Sequence, residues 1–574
     1  MFHIAGVLVQ AAFLPVALLL AAVSSLLAPG ELRASQDTPP DLILYNGKVV
    51  TMDPRLGTVE ALAIAGERVA AAGSTADVLR LAGPESRTID LQGRTVIPGL
   101  GDNHYHGIGG GRGVDLSRVR SLDELLAKIA ERAAVTPAGE LIVTNSDWHE
   151  GQLREQRLPL RDDLDRAAPN HPVVVVRGGH EYVLNSAALR MWQITEKTPE
   201  PPGGKIGRYP DGRLNGELVD RARGLVELPP RESRTLEETI ADLREEYRKL
   251  NLVGITSIRY PGAAPELYAA LKEMRKRNLL TVRVTVLFRL PASVTPPALD
   301  SVLSRWAVAP GEGDEWLKVG GIKLGVDGGF EGGWMRRPYN EPWGNGGNYY
   351  GLSTVDPDRY REIVRSLNLR GWRVATHAVG DAAIDLVLDA YESADAVSSI
   401  RERRWSIEHA FVVAPDQLDR MKRLGVLLSV QNHLYVAAPS LVRYWGAERA
   451  GRVTPVRTYL DAGLHVSSGT DSPVIPYNPW WTMYHFVTRR TISAGVMGFE
   501  ERVGRMEALK LATVENAYLA AAEKERGTLA PGMLADLAVL SRDFLTCDDS
   551  EIESIGSVLT IVGGKIVASS NQVR

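Results

Sequence analysis

The sequence predicts an α/β fold, a (β/α)8 barrel with a small β-domain built from both ends of the chain. Three observations indicate this architecture. Between residues 98 and 524, short β-rich apolar runs alternate with amphipathic helical segments, which is typical of a parallel sheet. Eight such runs can be found, the number that this barrel requires. Strand–turn–strand units flank the region on both sides.

The N-terminal segment differs in character from the rest of the chain. Residues 4–29 carry no charge and are mostly Ala, Leu and Val, and a polar linker with Pro39-Pro40 separates them from the fold. Such a run is typical of a secretory signal peptide or a single membrane anchor. We therefore expect residues 1–34 to direct export, to a periplasmic, extracellular or membrane-anchored location. Cleavage of the segment, and membrane association through it, stay open.

Residues 41–97 and 525–574 predict one small β-domain. Near the N-terminus, Asn46-Gly47 is a turn dipeptide between two β-compatible runs. Near the C-terminus, residues 561–567 repeat the strand–turn–strand pattern of residues 44–50. The economical prediction is a single β-domain into which the barrel region, residues 98–524, is inserted.

The barrel region supplies its predicted strands in chain order, beginning with the strand just before His104. Helices such as 357–369 and 501–512 fill the intervals between strands. The stretch 113–240 exceeds one β–α unit, so we expect it to form an insertion over the open end of the barrel. After the first strand, the predicted strands are 254–259, 281–288, 317–324, 373–376, 405–408, 427–431 and 465–469.

Composition excludes several function classes. Lys and Arg total 66 against 70 Asp and Glu, a net charge of −4 with no basic block, so nucleic acid is not an expected partner. The single cysteine, Cys547, excludes an intramolecular disulfide framework and a cysteine-based zinc site. A metal site in this chain must therefore use histidine and carboxylate ligands.

Polar side chains suited to a metal site stand repeatedly where a predicted strand ends, which is where active-site residues of a parallel barrel collect. His104 and His106 are two residues apart on an extended segment, so their side chains share a face and can bind one ion. Each position alone has an ordinary explanation, such as a capping aspartate or a buried histidine. Their recurrence at strand ends indicates a joint site. The set comprises His104, His106, Lys323, His377, His409 and Asp471.

These positions lie in distinctive motifs. They are Pro98-Gly-Leu-Gly-Asp-Asn-His-Tyr-His, Lys323-Leu-Gly-Val-Asp-Gly, His377-Ala-Val-Gly-Asp, Ile407-Glu-His-Ala and Gly469-Thr-Asp-Ser-Pro-Val. Together they resemble the amidohydrolase superfamily, in particular its YtcJ-like branch, amidohydrolase family 3. The resemblance covers nearly everything after residue 40. It implies a TIM barrel of the metal-dependent hydrolase type and a composite β-sandwich built from both chain ends.

The donor set predicts a metal-dependent reaction. His104, His106 and Asp471 are expected to hold one divalent ion and His377 and His409 a second, with zinc the best match and Fe, Mn, Co or Ni also suitable. Buried, Lys323 would be a reactive neutral amine. The resemblance implies that it takes up CO2 and bridges the two ions as a carbamate, although a one-metal enzyme could keep a plain lysine there. Asp471 is the expected general base and then acid.

The predicted function is hydrolysis of a non-peptide carbon–nitrogen bond, in an N-substituted amide, formamide or carbamate, by metal-activated water. A mononuclear deaminase or isomerase on the same fold is the alternative, and a non-catalytic scaffold is disfavoured because every ligand is present. The expected partner is a small-molecule substrate, with His180, Gln431 and His433 as candidate substrate contacts. A homodimer stays open.

Overall fold

The structure is a computed structural model that describes residues 39–229, 234–291, 293–340 and 347–570. The predicted export segment, residues 1–34, lies outside these ranges, and the expectation of export stays a prediction. Within the described ranges, no helix combines the length and the apolar character needed to cross a bilayer.

The N-terminal part of the described chain is a series of short strands with one short helix. These elements are β1 (Leu42–Tyr45), β2 (Lys48–Val50), β3 (Thr58–Val59), β4 (Ala61–Ala65), β5 (Arg68–Gly73), α1 (Thr75–Leu79), β6 (Arg87–Asp90), β7 (Thr95–Pro98) and β8 (Leu100–Asp102).

The next part forms a sheet of its own with helices beside it. It contains α2 (Leu122–Val135), β9 (Ile142–Val143), α3 (Arg161–Ala167), β10 (Val173–Arg177), β11 (Glu181–Leu184), α4 (Ser186–Met191), β12 (Gly204–Arg208) and β13 (Leu214–Asp220). Short 3₁₀ helices lie at Glu150–Gln152 and Arg221–Leu225.

Strands and helices then alternate through the barrel, and three strands complete the chain. The elements are α5 (Leu236–Leu252), β14 (Ile255–Ala263), α6 (Pro265–Lys276), β15 (Arg283–Arg289), α7 (Pro296–Trp306), β16 (Leu317–Gly325), α8 (Pro357–Leu369), β17 (Val374–Ala378), α9 (Asp381–Asp395), β18 (Ser406–His409), α10 (Pro415–Leu424), β19 (Leu427–Gln431), α11 (His433–Trp445), α12 (Ala447–Gly451), α13 (Val456–Asp461), β20 (Val466–Gly469), α14 (Pro479–Thr488), α15 (Arg505–Ala512), α16 (Val514–Leu519), β21 (Leu537–Leu540), β22 (Ser557–Val562) and β23 (Lys565–Ser569). Further 3₁₀ helices lie at Phe499–Glu501 and Asp549–Ser554.

Local sequence explains where several barrel helices begin. Proline occupies the start of α6, α7, α8 and α10, where its missing N–H costs no hydrogen bond and its fixed φ suits the helix. At α8 the side chain of Asp356 also accepts the backbone N–H of Arg359 at 2.8 Å, which caps the first turn. The chain can therefore leave a strand and turn into a helix within a few residues.

The eight-stranded sheet runs in the order β8, β14, β15, β16, β17, β18, β19 and β20, with parallel neighbours throughout. Its two end strands meet, because the Asn103 N–H donates to the Ser468 carbonyl at 3.3 Å and the Asp471 N–H to the His104 carbonyl at 2.7 Å. The sheet is thus a nearly closed barrel. All eight predicted strands form, and the predicted fold class is confirmed.

Two further sheets lie outside the barrel and the insertion, one from the N-terminal part alone and one from both ends of the chain. A four-stranded sheet has the order β5, β4, β1, β6, and a six-stranded sheet has the order β23, β22, β21, β7, β2, β3. In the latter, β7 from the N-terminal part pairs antiparallel with β21 from the C-terminal part. A buried ion pair ties this domain to the barrel, because Arg283 Nε lies 2.6 Å from Asp536 Oδ2. The pairing of β7 with β21 therefore fixes the segment that leads into β8 and His104.

The part between β8 and α5 forms a five-stranded sheet in the order β12, β13, β11, β10, β9. Buried apolar residues on its two sides make separate small cores, which include Leu125, Val173 and Leu218. The helix that follows, α5, packs against β14 and α6 of the barrel and against β22 and β23 near the C-terminus, so it lies outside the inserted sheet. This inserted sheet carries its own core and faces the carboxyl ends of the barrel strands.

Candidate active site

The predicted site residues meet at the carboxyl ends of the barrel strands. His104 and His106 follow β8, Lys323 lies in β16, His377 in β17 and His409 at the end of β18, and Asp471 follows β20. The ring of His104 lies 5.0 Å from that of His106 and 4.7 Å from that of His409, and the rings of His377 and His409 are 4.6 Å apart, all between centroids. Residues more than 350 positions apart in the chain, such as His104 and Asp471, thus share one site.

His104 is held from one side and open on the other. Its Nδ1 lies 2.7 Å from Glu408 Oε2, a carboxylate that can only accept, so Nδ1 carries the proton. Its Nε2 faces Lys323 Nζ at 3.5 Å and Asp471 Oδ1 at 3.6 Å. A carboxylate behind a histidine is the usual arrangement for orienting a metal ligand.

His409 and His377 are oriented in the same way. His409 Nδ1 lies 2.7 Å from the amide oxygen of Gln431, and His377 Nε2 lies 3.1 Å from the Gly328 carbonyl. Because each of these oxygens accepts, the opposite nitrogen of each ring keeps its lone pair. Burial lowers the pKa of both rings well below the ordinary value, and neutral imidazole is the form that binds metal. The donor chemistry of the site therefore fits a divalent cation.

Asp471 is the carboxylate on which the site converges. His106 Nε2 lies 3.3 Å from its Oδ1, and His433 Nε2 lies 3.1 Å from its Oδ2. Burial alone would raise the pKa of Asp471, but His104 and the two histidines that contact it hold the pKa well below its usual range. Its backbone φ is +60°, a region that aspartate tolerates better than most residues. An ionised carboxylate is thus aimed into the site. His104, His409 and Asp471 each place a ligand atom within 4.8 Å of the other two.

Lys323 points into the same space and is buried. Burial lowers the pKa of Lys323 to about 7, against the opposing effect of Glu408. A substantial neutral fraction near neutral pH makes the amine a nucleophile, which carbamate formation requires. Its position between β15 and β17 is fixed by the parallel register, in which Lys323 is opposite Arg289 and Ala375.

A second set of buried charges supports these ligands, and the sequence did not single it out. Arg259 of β14 binds Glu408 through two contacts of 2.9 Å and also donates to the Ser406 hydroxyl at 3.0 Å. Burial alone would raise the pKa of Glu408, but Arg259 and Lys323 hold it well below its usual value. Glu408 can therefore stay an anion behind His104. Its place in the Ile407-Glu-His-Ala motif was the available signal.

Asp327 is a further buried carboxylate in a quoted motif. Its oxygens accept backbone N–H groups of Val379 at 3.1 Å, Gly380 at 3.0 Å and Trp334 at 3.0 Å. Burial nevertheless raises the pKa of Asp327 to about 8. Asp327 Oδ1 also lies 3.5 Å from His377 Nε2. It joins the loop after β16 to the start of α9 and supports His377.

Comparison with known proteins identifies the family. Residues 87–568 match the amidohydrolase family. The chain belongs to this family. Over 92% of its length it is 32% identical to Protein LONG AFTER FAR-RED 3 of Arabidopsis thaliana, covering 92% of that protein. It is 29% identical to N-substituted formamide deformylase of Arthrobacter pascens over 91% of this chain and 97% of that protein.

The solved structures agree with this assignment. An uncharacterized metal-dependent hydrolase from Pyrococcus furiosus is 28% identical, with a TM-score of 0.62 over 88% of this chain and all (100%) of that one. The family predicted from the motifs is confirmed, and with it a hydrolase that requires a divalent metal. The metal's identity, the number of ions and the roles assigned to single residues stay predictions.

The amidohydrolase site opens into a cavity of about 850 Å³, called here the main cavity. The barrel supplies its floor, with His104, Lys323 and Asp471 among the lining residues. The inserted sheet and the 3₁₀ helix after it supply the facing side, called here the inserted wall, which comprises residues 178–182 and 220–224. The two parts meet where His180 stacks on His377 with ring centroids 5.4 Å apart.

The inserted wall is held close to the barrel loop 328–333. His180 Nδ1 lies 2.7 Å from Asp220 Oδ1. Gly328 and Gly332 pack against the Asp220 carboxylate so tightly that a Cβ on either would collide with it. Close approach to Asp220 thus explains why glycine occupies these two positions.

A small apolar chamber adjoins the main cavity beside the histidines. Its volume is about 40 Å³, enough for one or two water-sized groups. Trp148, Phe330, Phe411 and Val474 form its apolar wall, and His433 lies at its edge. Of the predicted substrate contacts, His180 borders both spaces and His433 the small chamber. Gln431 is fully buried one layer deeper, where it contacts His409.

Proposed function

We propose that this amidohydrolase cleaves a non-peptide carbon–nitrogen bond of an N-substituted amide, with a formamide or carbamate as the best-matching substrates. The observation that carries the proposal is the convergence of Asp471 with the open nitrogens of the buried histidines at the floor of a large cavity. The similarity to N-substituted formamide deformylase supports the same bond type.

The chain's own residues divide the work. His104, His106, His377, His409 and Asp471 would hold the metal, with Lys323 between them. A divalent metal there supplies Lewis acidity, which lowers the pKa of the attacking water and polarises the carbonyl. Asp471 accepts the proton of that water as the new C–O bond forms. It then returns the proton to the nitrogen as the C–N bond breaks, so the products are an acid and an amine.

We further propose a site for two ions bridged by carboxylated Lys323. The ligands fall into two neighbouring groups, with His106 and Asp471 on one side and His377 on the other, and the rings of His104 and His409 between them. The lowered pKa of Lys323 favours the neutral amine that carboxylation needs. A mononuclear deaminase or isomerase is the alternative and requires only one ion.

The small chamber favours a short acyl group. It adjoins His377, His409 and Asp471, so the carbonyl side of a bound amide would face it. A space of about 40 Å³ admits a formyl hydrogen or a methyl group but excludes a phenyl ring. The nitrogen substituent would then occupy the main cavity, which is about 850 Å³.

The test combines metal analysis with a matched substrate panel. Protein reconstituted with zinc in the presence of bicarbonate should contain close to two ions per chain. It should release amine from N-alkyl formamides, less from the acetamides, and nothing after chelation. Release of ammonia from an amidine or aminopurine panel, without amide cleavage, would favour the deaminase alternative.

Lys323→Ala separates the two metal models. With a bridging carbamate, the variant should lose one ion and most activity. Lys318→Ala is the matched control, because Lys318 lies on the same strand and its Nζ is 3.4 Å from the Ala521 carbonyl, away from the site. One ion per chain in the parent protein, with full activity in Lys323→Ala, would overturn the binuclear proposal.

A further inference from the structure

Four arginines line the main cavity, and three different elements bring them there. Arg221 and Arg223 belong to the inserted wall, Arg289 ends β15 on the barrel, and Arg359 lies in the first turn of α8. Their recurrence around one cavity is unusual, because the chain as a whole has a net charge of −4. The cavity is therefore more cationic than the protein that encloses it.

The carboxylates of the same cavity are already engaged elsewhere. Asp220 is bound to His180 at 2.7 Å, and Asp356 caps α8 through the Arg359 N–H at 2.8 Å. Asp327 accepts several backbone N–H groups, and Asp471 belongs to the histidine cluster. Each acid thus has its own partner, and none of them neutralises an arginine side chain at the cavity.

The arginines differ in what holds them. Arg221 Nε donates to the Thr354 carbonyl at 2.9 Å, and Arg223 Nε to the Asp220 carbonyl at 3.3 Å. For the guanidinium groups of Arg289 and Arg359, the described part of the chain offers no carboxylate within ion-pair distance. Arg289 is exposed and Arg359 half-buried, and both line the cavity, so their donors are open to a ligand anion.

Arg289 is the member closest to the reaction chemistry. Its register partner on the neighbouring strand is Lys323. Gly262 lies between Arg289 and His106. The side chains of both residues come within 4 Å of the position that a Cβ on Gly262 would take. The side chain of Arg289 is exposed in the cavity, where partial desolvation, with a contribution from Arg223, lowers its pKa. It remains a cation with donors facing the space where a nitrogen substituent would lie.

We propose that the substrate carries an anionic group, a carboxylate or a phosphate, on its nitrogen substituent, and that Arg289 binds it with help from Arg223 and Arg359. This inference rests on the proposed amide hydrolysis, since it assigns the acyl side to the small chamber and the amine side to the main cavity. Guanidinium groups suit both anions, because their planar donors match two oxygens at once.

The experiment uses substrate pairs that differ only in charge. N-formyl-ω-amino acids of increasing chain length are compared with their carboxamides, and N-formylaminoalkyl phosphates with the corresponding alcohols, on zinc-loaded enzyme. At one chain length or more, kcat/KM should be roughly 10- to 100-fold higher for the anion than for its neutral counterpart. The preferred anion identifies carboxylate or phosphate as the natural group.

Arg289→Gln should reduce that ratio by roughly 10-fold or more, and Arg359→Gln by less. Arg361→Gln is the matched control, because Arg361 lies on the same helix but contacts Asp358 at 2.8 Å on the protein surface. The control should keep the ratio of the parent protein. An unchanged ratio in Arg289→Gln would overturn the proposal. Loss of metal from this variant would also overturn it, because Arg289 would then act by supporting Lys323 and not by binding the substrate.

A binding measurement separates this inference from the proposed function. The product amines, an ω-amino acid and its carboxamide, are titrated calorimetrically into zinc-loaded protein. Tighter binding of the acid, lost in Arg289→Gln, supports the anion site even if no formamide is cleaved. Equal binding of both, in protein that cleaves neutral formamides, would leave the proposed function intact and reject the anion site.

Discussion

The barrel floor and the inserted wall face each other across one cavity but are built differently. Floor residues stand on the ends of parallel strands, and three of the predicted ligands have an acceptor behind the ring: Glu408 for His104, Gln431 for His409 and the Gly328 carbonyl for His377. Wall residues come from a separate sheet with its own core, and they meet the barrel from outside it, as His180 stacks on His377 and Arg221 donates to the Thr354 carbonyl.

This difference separates two tasks. A reaction requires atoms held to a fraction of an ångström, which a hydrogen-bonded ladder with locked side chains provides. Substrate choice requires a surface that can change without disturbing those atoms, which an insertion with an independent core provides. Substitutions of the predicted metal ligands in the floor, and of the partners behind them, are therefore expected to change turnover and metal content. Substitutions in the wall should change only substrate affinity and preference.

The largest effect is expected for Asp471→Asn. The amide keeps the size of the side chain and one ligand oxygen, and asparagine tolerates the backbone φ of +60°. It cannot take the proton of the attacking water. We expect kcat to fall roughly 10²- to 10⁴-fold while metal stays bound, measured by steady-state kinetics and elemental analysis on the same sample.

Asp461→Asn is the matched control, since Asp461 is an exposed aspartate on α13 that contacts Arg457. It should behave as the parent protein. Near-normal turnover in metal-loaded Asp471→Asn would assign the proton transfer to another group, and His180 would then be the first to test.

Glu408→Gln is expected to act on the metal. The change removes the charge that fixes the His104 ring and balances Arg259, which contacts Glu408 at 2.9 Å. Metal affinity should fall by roughly 10- to 100-fold, the usual cost of losing an orienting partner. The unpaired Arg259 should also lower the free energy of unfolding by about 3 kcal/mol.

Metal titration and thermal unfolding measure the two effects separately. Glu402→Gln, an exposed change just before β18, serves as the control and should leave both unchanged. If Glu408→Gln loses stability yet binds metal as tightly as the parent, Glu408 supports the fold rather than the ligand.

The sequence predicted the floor better than the wall, for a physical reason. A barrel strand has a strong pattern, and its carboxyl end marks where a polar residue can face the site, so His377, His409 and Asp471 could be selected together from their positions at strand ends. The partners behind them follow no such rule. Arg259 and Glu408 are separated by 149 residues, and a charged residue inside a strand does not reveal which other strand neutralises it.

The wall was predictable only as an insertion. Its sheet order, with β13 between β11 and β12, follows from contacts between segments that no periodicity specifies. His180 was predicted as a substrate contact, but Asp220, which contacts it, and Arg223, which lines the same cavity, were not. Gln431 shows the same limit within the barrel, because its position at a strand end did not distinguish a cavity contact from a contact with His409.

A moderate effect is expected for substitutions in the small chamber. Phe411 stacks on Phe330 with ring centroids 5.7 Å apart and lies against His433, so Phe411→Leu should enlarge the space for the acyl group. The ratio of kcat/KM for an acetamide to that for the formamide should rise by roughly 10-fold, the usual worth of one methyl group in an apolar pocket.

Phe486→Leu controls for loss of a buried phenylalanine, because Phe486 lies in the barrel core away from the chamber. Both variants should lose some stability, but only Phe411→Leu should change the ratio. If the control changes the ratio equally, or if Phe411→Leu leaves the ratio unchanged, the small chamber does not select the acyl group.

The smallest effect is expected for Asp220→Asn in the inserted wall. Asparagine has nearly the shape of aspartate and fits the same narrow space between Gly328 and Gly332, so the fold should be kept. The change replaces a charged hydrogen-bond acceptor of His180 by a neutral one, which should raise KM by about 10-fold at most and leave kcat and metal content near those of the parent. His180→Ala should have a similar effect, and the double variant should be no worse than either single one, because both remove the same contact.

The kinetics and metal content of these variants show whether the wall takes part in the reaction. A fall in kcat as large as that of Asp471→Asn, or loss of metal, would place the inserted wall within the reaction machinery. A change confined to KM would show that the stacking of His180 on His377, with ring centroids 5.4 Å apart, guides the substrate without disturbing the floor.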